Sequence, residues 1–195
     1  MQYKTLPLGN IADIRTIQLF RDSSPEHDED GNACAVSIRD LVASGPLNMA
    51  SLVRINLTSE QTENCLKYND ILMPARGDRY PARLFDLHEE KVIPIGQINV
   101  ISALKSVNGV YLAWYLNRKH VQQTLISMLT GSNIKSLNKS RLLSIQISLP
   151  ERHVQETIAN IQSIHARKMV LHNELMELEK LEIATVCENF LKLGI

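Results

Sequence analysis

Arginines and a tyrosine cluster in one stretch of this sequence that is rich in turn-forming residues. The stretch holds three arginines and one tyrosine: Arg76, Arg79, Tyr80 and Arg83. Gly77 lies among them and interrupts a regular strand or helix, so we expect a loop from which side chains project. Guanidinium groups neutralise phosphates and read base edges, and a tyrosine can contact a sugar or a base. These residue types in this setting favour nucleic-acid binding.

A second basic group lies further along the chain. It consists of an asparagine, two lysines and an arginine: Asn133, Lys135, Lys139 and Arg141. The cations surround the start of a predicted helix, where backbone N–H groups also favour phosphate, and the amide of Asn133 can read a base edge. The lysines and arginines of both groups can neutralise phosphates, which would make binding of such a ligand sensitive to salt.

The charge of the whole chain neither supports nor excludes this chemistry. Its 21 Lys and Arg balance 21 Asp and Glu, which is not the composition of a strongly basic nucleic-acid binder. Charge is nevertheless uneven, because residues 65–141 carry eleven Lys and Arg against five Asp and Glu. An acidic cluster within residues 22–30 and a glutamate-rich tail offset this excess.

An enzymatic alternative comes from carboxylates. Asp70 begins an apolar run, and Glu89-Glu90-Lys91 has the Glu-x-Lys spacing of some metal-dependent nucleases, which could hold Mg²⁺ and orient a water. This spacing also arises by chance in a chain with 22% charged residues. The sequence has no Gly-rich dinucleotide or phosphate loop and no methyltransferase tetrad. We expect no catalytic residue, no metal site and no cofactor in this chain.

Two predicted units position these residues. Over residues 1–149, short apolar runs at 36–38, 52–57, 70–73 and 98–101 predict strands, and 109–129 and 139–143 predict helices. This mixture predicts an α+β domain with a twisted or barrel-like mixed sheet and flanking helices. Residues 150–195 form the second unit, since Pro150 suits a first helical turn and no Pro or Gly follows until Gly194.

The second unit predicts one long helix of the coiled-coil type. Six apolar residues lie on one register of alternating three- and four-residue steps, in which Lys168 and Glu182 occupy two further positions: Val154, Ile161, Ile164, Leu171, Leu175 and Leu178. Such a helix exposes its apolar stripe unless another helix covers it, and no second long helix is predicted. The covering helix is therefore expected from another chain. A helix folded back onto its own domain is the alternative.

Cysteine usage and hydropathy predict a cytoplasmic location. The three cysteines are odd in number and widely spaced, which fits a reducing compartment. The N-terminus lacks the layout of a signal peptide, and no apolar run approaches the roughly 18 residues that cross a bilayer.

Several segments together resemble the specificity subunits of type I restriction-modification systems. The closing signature of their target-recognition domains is a Gly-Ser turn, a Lys-Ser-Leu helix start, a strand ending in Pro and then Gln-x-x-Ile. The chain matches it at 130–139, at 145–150 and at Gln155 with Ile158. Residues 8–14, 36–41, 69–77 and 111–116 resemble the family's earlier elements in the same order. The family's opening glycine is absent from 15–18.

The resemblance implies a half-length specificity subunit, because full members carry two target-recognition domains and two long helices. It implies that this domain binds duplex DNA and reads one half of a split target, and the two basic groups described above are then the expected DNA contacts. The long helix would pair two copies, or one copy and a different half-subunit. Methylation subunits holding S-adenosylmethionine and restriction subunits using ATP and Mg²⁺ are the implied partners. An adaptor or antagonist that occupies this position without binding DNA is a further alternative.

Overall fold

The protein is an α+β molecule with one long helix at its C-terminal end. The computed structural model describes residues 3–17, 20, 25–43, 47, 49–87, 90–129 and 136–193. The predicted fold class is confirmed. Among the described residues, no helix combines the length and the apolar character needed to span a bilayer.

A four-stranded antiparallel sheet lies at the centre of the domain. Its strands are β2 (Ala12–Ile17), β5 (Asp70–Pro74), β6 (Arg83–Leu84) and β8 (Ile98–Ala103). They are ordered β2-β8-β5-β6, and β5 is buried along its whole length. Asp70 pairs with Ser102 at one end of this sheet, and Pro74 pairs with Ile98 at the other.

Two smaller sheets complete the domain. In the first, β3 (Ala33–Val36) pairs antiparallel with β4 (Val53–Ile55) and parallel with β7 (Val92–Pro94), so this sheet is mixed as predicted. In the second, β1 (Lys4–Pro7) pairs antiparallel with β9 (Gln146–Leu149), which joins the start of the chain to the residues before the long helix. Within the described residues the sheets are open, and none closes into a barrel.

The side chains of β5 fill two cores on opposite faces of the central sheet. Ile71 and Met73 pack in the larger core, and Leu72 packs in a second one. Successive residues of a strand point to opposite faces, so an unbroken apolar run marks a strand covered on both sides. The larger core also contains Leu112 of the helix α3 (Gly109–Leu116).

One predicted strand extends beyond the strand that the structure contains. The strand predicted at 36–38 ends at Val36, because Ser37 and Asp40 form a capping box that starts α1 (Ile38–Val42). Other short helices are α2 (Ser59–Thr62) and α5 (Lys139–Leu143), the latter as predicted.

The helix predicted over 109–129 is broken in the structure. It divides into α3 and α4 (Lys119–Ser127) at Asn117. The Asn117 side chain bonds both to the N–H of Ala82 at 3.0 Å and to its carbonyl at 2.7 Å. A polar contact with a neighbouring segment therefore stops the helix where hydrophobic periodicity alone continues it.

The long helix α6 (Arg152–Leu193) extends beyond the domain. Its 42 residues span about 63 Å at 1.5 Å each. Gln155 and Ala159 are buried at its base, whereas every residue from 171 to 192 is exposed. The alternative of a helix folded back on its own domain is therefore wrong. β9 ends at Leu149 and α6 begins at Arg152, and the division into domains at 149/150 stays a prediction.

Candidate nucleic-acid interface

The loop that follows β5 carries two exposed arginines. Arg76 and Arg79 are both exposed, and Gly77 between them has a φ of +118°, which an L side chain rarely adopts. Gly77 thereby lets the chain turn directly after a buried strand. The predicted loop is present, and it presents two guanidinium groups to solvent at one end of the central sheet.

Tyr80 was expected to contact DNA, and the structure corrects this expectation. Its side chain is only 2% exposed, and its hydroxyl donates to the carbonyl of Gly77 at 2.6 Å. The carbonyl of Tyr80 accepts from the Gln122 side chain at 2.9 Å. A buried ring cannot stack on a base or lie against a sugar, so Tyr80 supports the arginine loop from beneath.

Arg83 is also held inside the protein rather than presented to DNA. Its Nε donates to the carbonyl of Leu41 at 2.9 Å, and a terminal nitrogen donates to the carbonyl of Ala43. These carbonyls belong to the C-terminal end of α1, where a cation is favoured. Burial lowers the pKa of Arg83. This half-buried arginine joins α1 to β6, and the expectation that it reads DNA has no support in this geometry.

Residues from the second basic group lie directly beside the arginine loop. Arg76 forms an isolated antiparallel bridge with Ser136. The N–H of Leu137 donates to the carbonyl of Ala75 at 2.8 Å, and Arg141 donates to the carbonyl of Ser136 at 3.2 Å. Two segments about 60 residues apart in the chain thus form one surface at this end of the sheet.

α5 adds further cations to this surface. Lys139 is exposed at its first position, and Arg141 is half-buried. Asn138 caps the helix by accepting from the N–H of Arg141 at 3.0 Å. The other two candidates of this group, Asn133 and Lys135, lie outside the described residues. We call Arg76, Arg79, Lys139 and Arg141 together the basic surface.

Asn99 fixes the basic surface from inside the sheet, and sequence analysis did not select it. It is fully buried, and its Nδ2 donates to the carbonyl of Leu137 at 2.8 Å. Its Oδ1 accepts from the hydroxyl of Thr16 at 2.7 Å. A single amide within the apolar run Ile98-Asn99-Val100-Ile101 was the available signal, because a buried polar group needs partners.

The aromatic residues of α3 belong to the core and not to a base-stacking surface. Tyr111 and Tyr115 are buried, and both hydroxyls bond to Ser148. Burial, chiefly, raises the pKa of Tyr111 to about 12. Arg118 lies with its guanidinium carbon 5.4 Å from the ring centroids of both Trp114 and Tyr115.

Asp70, which the nuclease alternative requires, is engaged in structural bonds. Its carboxylate accepts from Arg15 at 2.7 Å, from the hydroxyl of Ser102 at 2.6 Å and from the N–H of Lys67 at 2.9 Å. Glu90 lies 3.4 Å from the guanidinium of Arg54, and Glu89 lies outside the described residues. Within the described part of the chain, no three His, Cys, Asp or Glu side chains are grouped so as to hold a metal.

The family of the chain follows from a comparison with protein-family models. The model of the type I restriction modification DNA specificity domain matches residues 2–182. The chain belongs to this family. The match covers the sheets, the basic surface and most of α6, so the resemblance found in the sequence motifs is confirmed.

Solved structures with this fold include subunits of type I restriction-modification systems. The HsdS subunit from Thermoanaerobacter tengcongensis matches with a TM-score of 0.56 and 16% identity, over 87% of this chain and 38% of that chain. The S subunit from M. genitalium matches with a TM-score of 0.62 and 15% identity, over 91% and 42%. These identities show a shared fold. No curated protein sequence matches the chain significantly.

A third match comes from a structure described as the basis of complex assembly and conformational transition of the type I R-M system. It has a TM-score of 0.58 and 20% identity, over 92% of this chain and 43% of that chain. This specificity-domain chain therefore spans about two fifths of the length of the solved structures that it matches.

In this specificity-domain chain, Gln155 fixes the base of α6 to the domain. Its Oε1 accepts from the N–H of Asn108 at 2.9 Å, and its Nε2 donates to the carbonyl of Pro150 at 2.9 Å. Asn108 also caps α3 by accepting from the N–H of Tyr111 at 3.1 Å. The Gln-x-x-Ile motif is thus a joint, with Ile158 packed against the larger core one turn later.

The predicted seam of α6 is exposed over most of its length. Val154 is half-buried at the base, whereas five residues have more than half of their surface exposed: Ile161, Ile164, Leu171, Leu175 and Leu178. Val186 and Phe190 extend the stripe towards the C-terminus and were not predicted. Contiguous apolar surface on a helix without a neighbour marks an association site.

Proposed function

We propose that this chain recognises one half of a bipartite DNA target for a type I restriction-modification complex. The basic surface carries the proposal, because the bridge between Arg76 and Ser136 unites two separate basic segments at one end of a rigid sheet. Family membership makes duplex DNA the expected ligand of this surface.

The exposed cations of the basic surface have different roles from the neighbouring Tyr80 and Arg83. Arg76, Arg79 and Lys139 neutralise phosphates, and the arginines also have the geometry to read guanine edges in the major groove. Asn133 and Lys135 keep their predicted roles as DNA contacts. Tyr80 and Arg83 act as supports, because their polar atoms bond to the protein's own backbone.

The exposed stripe of α6 pairs this chain with a second copy or with another half-subunit. Two copies would place two domains on two half-sites at a fixed distance. A two-fold symmetric dimer reads an interrupted palindrome, in which one half-site is the inverted repeat of the other.

The remaining subunits would assemble on this scaffold. A methylation subunit would bring S-adenosylmethionine, and a restriction subunit would bring ATP and Mg²⁺. The specificity chain contributes recognition and geometry to that complex, and its own residues perform no bond cleavage.

The test is salt-dependent DNA binding by a variant of the basic surface. Selection from a random duplex library, with the methylation subunit present, supplies the target. The double variant Arg76→Ala/Arg79→Ala is expected to weaken binding and to lower the slope of log K against log salt by about 2, roughly 1 per lost phosphate contact. Lys67→Ala is the matched control, since Lys67 is exposed at the opposite end of the sheet.

Each alternative function gives a different result in these experiments. Normal assembly with the methylation subunit but no selected sequence would identify an adaptor or antagonist. Magnesium-dependent cleavage by the purified chain would identify a nuclease. An unchanged affinity and salt slope for the double variant would remove the basic surface from the DNA interface.

A further inference from the structure

The turn between β7 and β8 lies beside the loop that carries Arg76. The N–H of Ala75 donates to the carbonyl of Gln97 at 2.9 Å, which continues the pairing of β5 with β8 by one residue. The carbonyl of the same Ala75 accepts from the N–H of Leu137 at 2.8 Å. One buried residue therefore connects this turn to both segments of the basic surface.

The conformation of the turn leaves the side chain of Gln97 accessible. Gly96 is exposed with a φ of +78°, and a Cβ added to it would have nothing within 4 Å, so a ligand has room to approach. Gln97 itself is partly exposed. Side chains alternate along a strand, so Gln97 lies on the face of β8 from which the amide of Asn99 bonds to Leu137. This is the face that the segment carrying Lys139 covers.

The amide of Gln97 differs from the other amides around the arginine loop. The side chains of Asn99, Asn117 and Gln122 all bond to backbone groups of the protein itself. The side chain of Gln97, by contrast, makes no hydrogen bond with any residue in the described ranges. Its carbonyl acceptor and its two N–H donors are therefore available to a ligand of the basic surface.

A glutamine amide matches one base edge in the major groove. Adenine presents the N7 acceptor beside the N6 donor, so the amide nitrogen can donate to N7 while the amide oxygen accepts from N6. Guanine presents two acceptors at the same edge, which suits a guanidinium group rather than an amide. Because the amide carries no charge, it adds nothing to phosphate neutralisation. Its chemistry favours discrimination between base pairs.

We propose that Gln97 reads an adenine of the half-site that the basic surface contacts, through a pair of hydrogen bonds in the major groove. The inference rests on the proposed DNA recognition and adds a residue that determines part of the sequence. Phosphate contacts of Arg76 and Arg79 position the duplex against the turn, and the amide of Gln97 then distinguishes adenine from the other bases.

Selection from a random duplex library, with the methylation subunit present, tests this role in the full-length chain. The original chain is expected to require adenine at one position where Gln97→Ala accepts any base. The affinity of the variant for the original target should fall roughly tenfold or more. The slope of log K against log salt should be unchanged, because no phosphate contact is lost. The variant keeps its bond to Ala75, since that bond uses the backbone carbonyl.

A base analogue then tests the contact itself. Placing 7-deazaadenine at the selected position removes the N7 acceptor and keeps the Watson–Crick pair. It should weaken binding by the original chain and leave binding by Gln97→Ala unchanged, because the variant has no donor for N7. Asn64→Ala is the matched control. Asn64 is another half-buried amide whose side chain is unbonded within the described ranges, and it precedes Cys65, which bonds to Arg15 at the opposite end of the sheet.

The outcomes separate this inference from the proposed function. If Gln97→Ala selects the original sequence unchanged, or loses affinity equally on every sequence, Gln97 reads no base while DNA recognition by the basic surface stands. If 7-deazaadenine weakens the original chain and the variant equally, another residue reads that adenine and the inference is overturned. If the original chain selects no sequence at all, the proposed function and the inference are overturned together.

Discussion

Asn99 shows how one buried side chain can control a surface that it does not reach. Its amide joins Thr16 of β2 to the Leu137 carbonyl, and Leu137 in turn bonds to Ala75 beside Arg76. Buried amides are costly unless both donor and acceptor are used, and here both are used. The position of the basic surface therefore depends on a residue in the middle of β8.

We predict that Asn99→Ala lowers both stability and DNA affinity. The substitution leaves the Leu137 carbonyl and the Thr16 hydroxyl without this partner, which costs about 2 kcal/mol in the free energy of unfolding. It also frees the segment that carries Lys139. Denaturant unfolding measures the first effect, and DNA titration at a temperature where the variant is fully folded measures the second.

Thr16→Val separates stability from positioning in this experiment. It removes one hydroxyl and costs about 1 kcal/mol, but it leaves the bond between Asn99 and Leu137 intact. DNA affinity should then be unchanged. If both variants weakened DNA binding in proportion to their loss of stability, a positioning role for Asn99 would be refuted.

Residue types in this stretch predict an exposed loop with arginines, but they do not predict which of its side chains are exposed. Arg76 and Arg79 lie exposed in a loop, as their Gly-containing context indicates. Tyr80 and Arg83 are only one and four residues beyond Arg79, yet they point inward and bond to the backbone of other segments. Those partners are defined by the tertiary fold, so no local pattern distinguishes the exposed arginines from Tyr80 and the half-buried Arg83.

At the scale of elements, the joint between α3 and α6 decides where the long helix points. Gln155 accepts from the N–H of Asn108 and donates to Pro150, so one buried side chain connects the two helices and the preceding turn. Hydrogen bonds weaken steeply when their geometry departs from the preferred angle, so the two bonds of Gln155 allow α6 only a narrow range of orientations. The helix then transmits any angular change at its base over about 63 Å.

We predict that Gln155→Ala loosens this joint. The Asn108 N–H and the Pro150 carbonyl lose their partner, which costs about 2 kcal/mol in unfolding free energy. The dimer should then accept targets whose spacers differ by a base pair or more from the preferred length. Binding to a series of targets of increasing spacer length measures the change.

A second glutamine of α6, Gln162, provides the control for the Gln155 variant. Gln162→Ala alters a half-buried residue two turns further along α6, beyond the bonds to Asn108 and Pro150. Its spacer preference should remain as narrow as that of the unaltered chain. Equal broadening in both variants would show that spacing is not controlled at Gln155.

Hydrophobic periodicity predicts a helix or strand correctly where the local sequence pattern and the tertiary contacts favour the same element. α5 and α6 match their predictions closely, because an Asn cap opens one and a long apolar heptad pattern without Pro or Gly defines the other. Hydrophobic periodicity does not predict the break between α3 and α4, because the break depends on the bonds that Asn117 makes to Ala82 in another part of the fold. The partition of strands into three open sheets also depends on long-range pairing, which a short apolar run does not specify.

At the scale of the whole molecule, the surface proposed for DNA recognition and the helix proposed for pairing are separated in space. The basic surface lies at the Arg76 end of β5, and Asp70 lies at the opposite end, about 20 Å away, near the base of α6. The apolar stripe residues have more than half of their surface exposed from Ile161 onwards, after the buried Gln155 and Ala159 at the helix base. Removing the free part of α6 should therefore affect the proposed pairing without disturbing the basic surface.

A chain ending after Val170 tests this separation directly. It keeps Gln155, Ile158 and Ala159, which hold the helix base to the core, and it removes the exposed turns that contain Leu175. Light scattering should give twice the 22.0 kDa chain mass for the full-length protein and a monomer for the shortened one. The monomer should still bind a single half-site with the same salt slope but much lower affinity than the dimer shows on two, because pairing converts the second contact into an intramolecular event. A shortened chain that remained dimeric would show that the turns after Val170 are not needed for pairing, and it would place the pairing surface on the domain or on the retained turns that carry Ile161 and Ile164.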